Sequence, residues 1–92
     1  MGQRGYAEFT LDDARGAVLY KTTVVLIKDN TLILNNGGWV TRSTIKAMNN
    51  YLIIHNIPSR VYTKKGIMYV RTTSADIAFN NNKVTLNLEN LA

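Results

Sequence analysis

NNGGWVTRSTIKAMNNYLIIHNIP, residues 35–58, is the stretch on which the fold turns, because it reads as one helix inserted between segments rich in β-formers. Gly37 and Gly38 admit backbone angles closed to other residues, so an extended segment can stop there and the chain can cross over a sheet. Thr41 is placed to act as N-cap. Its hydroxyl can accept from the backbone N–H of Thr44, while Val40 can pack on Ile45 as a hydrophobic staple. The helix is expected from about Arg42 to about His55. Ile45, Met48 and Leu52 form one stripe, which Ala47, Tyr51 and Ile54 widen into a face for packing on the sheet. Arg42, Lys46, Asn49 and Asn50 fall on the opposite side. Asn56 resembles a C-cap and Pro58 forbids continuation. Trp39 is expected to lie over the crossover, plugging the sheet edge under the helix.

Working outward, the β-branched run VLYKTTVVLIK (residues 18–28) is followed by TLILN (31–35), with Asp29-Asn30 suited to a two-residue hairpin turn because both tolerate positive φ. Residues 1–16 read as a weakly specified lead-in, loosened by Gly2, Gly5 and Gly16, with Asp12 and Asp13 favouring a turn. A short strand or a helical turn is the most it offers. Downstream, RVYTKKGIMYV (60–70) reads as a hairpin joined through Lys64, Lys65 and Gly66. Ala75, Ile77 and Phe79 then alternate with polar neighbours, Asn81-Asn82 can turn, and Val84, Leu86 and Leu88 imply a last strand with one buried face. The predicted order is ββαββββ: an α+β domain, a twisted antiparallel sheet of about six strands with a single helix on one face.

At 92 residues the chain is read as a single small domain. It contains no cysteine, which excludes disulfides, thiolate zinc sites and thiol nucleophiles. No opening apolar stretch resembles a signal peptide and no run approaches the ~18 apolar residues of a membrane span, so no membrane association is expected. Lysines and arginines outnumber acids to give a net charge of +5, and the excess is localised. Residues 1–40 balance four cations against four acids, and residues 72–92 sum to minus one. In residues 41–71, Arg42, Lys46, Arg60, Lys64, Lys65 and Arg71 meet no acidic residue. Such an imbalance describes either a solvated face or an anion-binding surface.

Catalysis is hard to build from these residues. His55 is the sole histidine, and Asp12 and Asp13, being adjacent, diverge on a strand or a helix. No cofactor is implied. Anion binding is easier: the helix start offers free N–H groups beside Arg42, with Ser43 and Thr44 hydroxyls as added donors, though simple capping needs only Thr41. Lys46 and Asn49 extend that surface along the helix. Lys64 and Lys65 at the hairpin tip could reach a nucleic-acid backbone, and Arg60, Tyr62, Tyr69 and Arg71 in its arms could supply charge and stacking planes. A winged-helix reading fails for want of further helices.

LNNGGWVTRSTIKAMN, RVYTKKGIMYV and AFNNNKVTL, taken in order, resemble a family of small bacteriophage and prophage proteins. Its features are a GGW-x-T-x-[ST]-T core and an RVY-x-x-KG-x-x-YV hairpin. Relatives often carry two or three basic residues where this chain has Ile45, Lys46 and Ala47, with only Lys46 charged. The resemblance implies a viral accessory protein in the cytoplasm of a bacterial host, and brings no established activity with it.

Two partner classes follow. One is nucleic acid or another phosphate-bearing ligand held by the helix start and the Lys-Lys-Gly hairpin. The other is a host protein or defence factor, met through a compact aromatic patch of Trp39 with Tyr62. Homodimerisation through an uncovered sheet face is compatible with both.

Overall fold

A computed structural model describes residues 3–91 of the chain. Gly2, expected to loosen the start of the chain, lies outside them. Among the described residues the fold is α+β, with one α-helix and eight strands in two antiparallel sheets. Strands β1 (Tyr6–Thr10), β2 (Ala14–Leu19), β3 (Thr22–Lys28), β4 (Thr31–Asn35) and β8 (Lys83–Asn87) form a five-stranded sheet in the order β1-β2-β3-β4-β8. Strands β5 (Arg60–Lys64), β6 (Ile67–Arg71) and β7 (Asp76–Ala78) form a second sheet in sequence order. Helix α1 (Arg42–Ile54) connects the two, and a 3-10 turn, Leu88–Leu91, follows β8. No helix is long and apolar enough to cross a membrane among the described residues.

The helix caps as the sequence implies. Thr41 takes an extended conformation and its hydroxyl accepts from Thr44 N at 3.3 Å. Asn56, in the left-handed region, lies just beyond the last turn, where His55 is the C-cap residue. The packing face comprises Thr44, Ala47, Met48, Tyr51 and Leu52. Ile45 packs only partly against the core, and Ile54, expected on the buried face, is exposed.

One core joins both sheets to the helix. Val25, Ile27, Leu32, Leu34, Val84 and Leu86 from the large sheet meet Met48, Tyr51 and Leu52 of α1 and Val61, Met68 and Val70 of the small one. Burying side chains of this size contributes ~1.5–3 kcal/mol each, before the entropy of ordering them is counted. On the hairpin the alternation of buried Val61, Met68 and Val70 with outward Tyr62, Tyr69 and Arg71 fixes which face turns to solvent.

Two departures from the sequence reading concern the start of the chain. Residues 1–16 are not a loose lead-in throughout: β1 pairs with β2 along its whole length, from Tyr6↔Leu19 to Thr10↔Arg15. The run 18–28 is not one strand either, because Tyr20-Lys21 interrupts it as a two-residue turn between the paired Leu19 and Thr22. Tyr20 makes that turn at φ 55, a conformation unusual for a bulky residue. Its N–H donates to Gly5 O at 2.7 Å, and its ring lies so close over Gly5 that a Cβ there would come within 2.5 Å. The remaining turns match their residues: Asp29-Asn30 and Asn81-Asn82 both take positive φ, as do Lys65 and Gly66. But β7 and β8, expected as a pair across Asn81-Asn82, lie in different sheets, β8 pairing with β4 and β7 with β6. Strand β7 is short and exposed, so its alternation buries little.

Candidate nucleic-acid interface

The expected surface requires the helix start and the hairpin tip to lie at the same end of the molecule. Two contacts place them there. Asn49 makes a reciprocal pair with the backbone of Val61, its Nδ2 donating to Val61 O at 2.9 Å and its Oδ1 accepting from Val61 N at 2.7 Å. The chain leaves α1 at His55, returns at Arg60, and so runs β5 back along the helix. From Asn49 to Arg42 is seven helical residues, or ~10 Å, and from Val61 to Lys64 is three strand residues, also ~10 Å. Lys64 therefore comes level with Arg42. Independently, Asn36 at the foot of the crossover donates from Nδ2 to Met68 Sδ at 3.6 Å, next to the tip. Arg42, Lys46 and Asn49 share one helical stripe, at i, i+4 and i+7, so both cations lie on the flank that Asn49 ties to β5.

Strand register extends this end. The Tyr20-Lys21 turn, the Asn35–Gly38 crossover and the Asn80–Lys83 turn all close the same edge of the large sheet, linked by Asn36 N–H donating to Asn82 O at 2.9 Å. Arg4, Lys21, Arg42, Lys46, Lys64, Lys65 and Lys83 gather there, with no acidic residue among them. Asp12, Asp13, Asp29 and Glu89 occupy the opposite edge of the same sheet. Asp76 starts β7 at the far end of the small one, its carboxylate reaching back to the Tyr62 hydroxyl and within the field of Lys64. Glu8 lies midway, on β1.

The expected site residues divide sharply. Arg42, Ser43, Lys46, Lys64 and Lys65 are exposed at the basic end. Thr44 is only 2% exposed, with its hydroxyl 3.1 Å from that of Thr41, so it serves the cap and reaches solvent only at the wall of the cleft beside Trp39. Asn49 is committed to Val61. Arg60 sits at the far end of β5, its Nη1 donating to the carbonyls of Ile57 and Ser59. Arg71 lies beside it in register and pairs with Asp76 at 3.2 Å.

Tyr62 belongs to that far cluster. Its ring stacks on Tyr69 with centroids 5.4 Å apart, carries the Arg71 guanidinium at 5.0 Å, and its hydroxyl donates to Asp76 at 2.8 Å. These hydrogen bonds, from Tyr62 first and Arg71 second, hold the Asp76 carboxyl below its ordinary value, and the bond to Asp76 pushes the Tyr62 phenol up. Tyr62 thus has intramolecular partners for ring and hydroxyl alike, and is a cross-strand packing residue instead of an open stacking plane. His55 also has a partner: Nε2 lies 2.8 Å from Glu8 Oε1, binding β1 to the end of the helix.

Trp39 does not plug the sheet edge; it is 64% exposed. Gly37 and Gly38, both at positive φ, turn the crossover, and their N–H groups are taken by the side chains of Asn35 and Asn36. Trp39 N–H then closes on Asn36 O at 2.9 Å, sending the indole outward. There it borders a cleft of ≈ 530 Å³ with Tyr20, Lys21, Ser43 and the apolar Leu19 and Val24. Trp39 is a binding candidate in the sequence, but Tyr20 and Lys21 as wall residues, with Arg4 and Lys83 as neighbouring charges, carry no local signal. The turn at Tyr20-Lys21 has no glycine, asparagine or proline to announce it. Comparison with family models, curated proteins and solved structures returned no match to this chain.

Proposed function

We propose that the basic end of this protein binds the phosphate backbone of nucleic acid, with Arg42, Lys46, Lys64 and Lys65 as the phosphate contacts and Lys21 beside them. The observation that supports this reading is the segregation of charge: cations from the helix start, the hairpin tip and three turns share one end, while the carboxylates lie elsewhere. A field of one sign attracts a polyanion over longer range than any single contact and sets its orientation on arrival. The free N–H groups of the first helical turn add to it. The resemblance to phage-encoded proteins supplies a setting, the cytoplasm of an infected bacterium, where nucleic acid is abundant.

Docking on a host protein through Trp39 and Tyr62 has less support, since Tyr62 is engaged with Tyr69, Arg71 and Asp76. The test is fluorescence anisotropy of a labelled oligonucleotide across a salt series. Each phosphate contact on a single strand contributes ~0.7 to the slope of log K against log salt, so four contacts give a slope near −3. No binding at low salt, or binding indifferent to salt, would defeat the proposal.

A further inference from the structure

We infer that the cleft between Tyr20 and Trp39 receives one unstacked nucleobase from a single strand. The inference rests on the phosphate-binding reading and adds to it the form of nucleic acid recognised. Two large rings stand in solvent here, Tyr20 at 66% and Trp39 at 64% exposure, on the walls of a single cleft. Neither serves the core. Tyr20 is moreover held at φ 55, a conformation that costs ~1–3 kcal/mol and survives only where the surroundings enforce it. The enforcement is visible: the ring rests on Gly5, where a Cβ would come within 2.5 Å, and Tyr20 N–H is bonded to Gly5 O. The chain thus holds an aromatic side chain in place at the surface against its backbone preference.

The volume, ≈ 530 Å³, falls within the range of small-ligand sites. The inner wall is mainly apolar, from Leu19 and Val24 with the buried Asn36 and Thr44 beside them, and the rim carries Lys21 and the hydroxyls of Thr22 and Ser43. No carboxylate lines it. A planar heteroaromatic ring with a phosphate attached matches each part: ring faces for Tyr20 and Trp39, edge acceptors for the hydroxyls, and the phosphate for Lys21 on the rim. Stacking of this kind tolerates any base, because every base has a π-face. A duplex cannot present its bases without breaking pairs, so single strands are preferred.

Trp39 is the only tryptophan in the chain, so its emission reports on the cleft alone. The experiment titrates the protein with three unlabelled ligands: an oligothymidylate, an abasic oligomer of equal length, and a duplex. Anisotropy of labelled versions of the same three runs in parallel. The expected result is quenching of Trp39 at saturation by the oligothymidylate only, with the abasic oligomer bound about tenfold more weakly at an unchanged salt slope. Trp39→Ala, and Tyr20→Asn, which removes the ring with a residue tolerant of positive φ, should each erase the difference between thymidylate and abasic strands.

If anisotropy reports binding while Trp39 emission stays constant, or if the abasic strand binds equally well, the cleft takes no base and phosphate binding stands without it. Quenching by the duplex to the same extent would likewise overturn base insertion. Failure of every ligand to bind at low salt removes both readings.

Discussion

The two ends of the β5–β6 hairpin each carry two cations, and they are used in opposite ways. At one end Arg60 is bonded to the carbonyls of Ile57 and Ser59, and Arg71 is paired with Asp76 beneath the Tyr62–Tyr69 stack. At the other end Lys64 and Lys65 project from the turn, with no hydrogen bond or ion pair to either side chain among the described residues. Charge is the same at both ends, yet only the tip is free to meet a polyanion. A guanidinium, with its fixed fork of donors, suits the end where carbonyls and a carboxylate converge, and a flexible ammonium suits the end facing solvent. The count of cations in a segment thus says less about binding than the set of partners each one has.

The comparison breaks most severely if the tip is no longer held beside the helix. Asn49→Ala removes both partners of the buried Val61 backbone, and is expected to cost about 2–3 kcal/mol in urea unfolding. Salt-dependent binding should weaken with it, because Lys64 would lose its alignment with Arg42. A loss below about 0.5 kcal/mol would mean that core packing at Val61 alone sets the alignment. The next effect is on binding itself. Lys64→Ala combined with Lys65→Asn, the latter chosen to keep the positive φ, should make the salt slope shallower by about 1.4 units without altering the fold. Arg60→Ala with Arg71→Ala should leave that slope in place. Equal changes from both pairs would erase the distinction between the two ends.

How far the sequence discloses these roles depends on how local the signal is. The helix is legible from Thr41 to Asn56, because capping and periodicity reside in neighbouring residues. Three turns are legible for the same reason, each marked by Asn, Asp or Gly where positive φ is needed. What escapes depends on distant partners. Arg71 looks unopposed across residues 41–71, but Asp76 lies five positions on and folds back beside it in register. Asn49 reads as a surface amide, and its bond to Val61 spans twelve residues. Strand β1 lacks a strong pattern of its own; its order comes from pairing with β2 and from Glu8 meeting His55. Tyr20 and Trp39 share a cleft only because two separate turns close one sheet edge.

A sharper question is whether Arg71 is silent because it is paired or because it is remote. Asp76→Ala separates the causes by freeing the guanidinium in place. From Arg60 to Lys64 strand β5 runs ~13 Å, more than the Debye length of ~8–10 Å at moderate salt, so remoteness should prevail. The expected change in salt slope is well under the ~0.7 of one phosphate contact. A full contact's steepening would show that the ion pair, and not distance, withholds Arg71 from the ligand. It would also extend the binding surface along the whole hairpin.

The smallest effect lies away from both ends, where Glu8 on β1 meets His55 and Tyr6. Partial burial pushes the Glu8 carboxyl up, but the hydrogen bonds from His55 and Tyr6 together outweigh it and hold the group below its ordinary 4.5. A carboxyl whose folded value is depressed adds stability above its unfolded value and loses it as the pH falls through the folded one. Melting temperature should therefore decline below about pH 4.5, and Glu8→Gln should flatten that decline. The pair is about one-third exposed, so the change is modest. Its location makes it informative. Acid should release β1 from the helix end while leaving the crossover intact, so hydrogen exchange in β1 should quicken before Trp39 emission shifts. Simultaneous change at both would mean that the charged end depends on β1, and that the two regions do not behave independently.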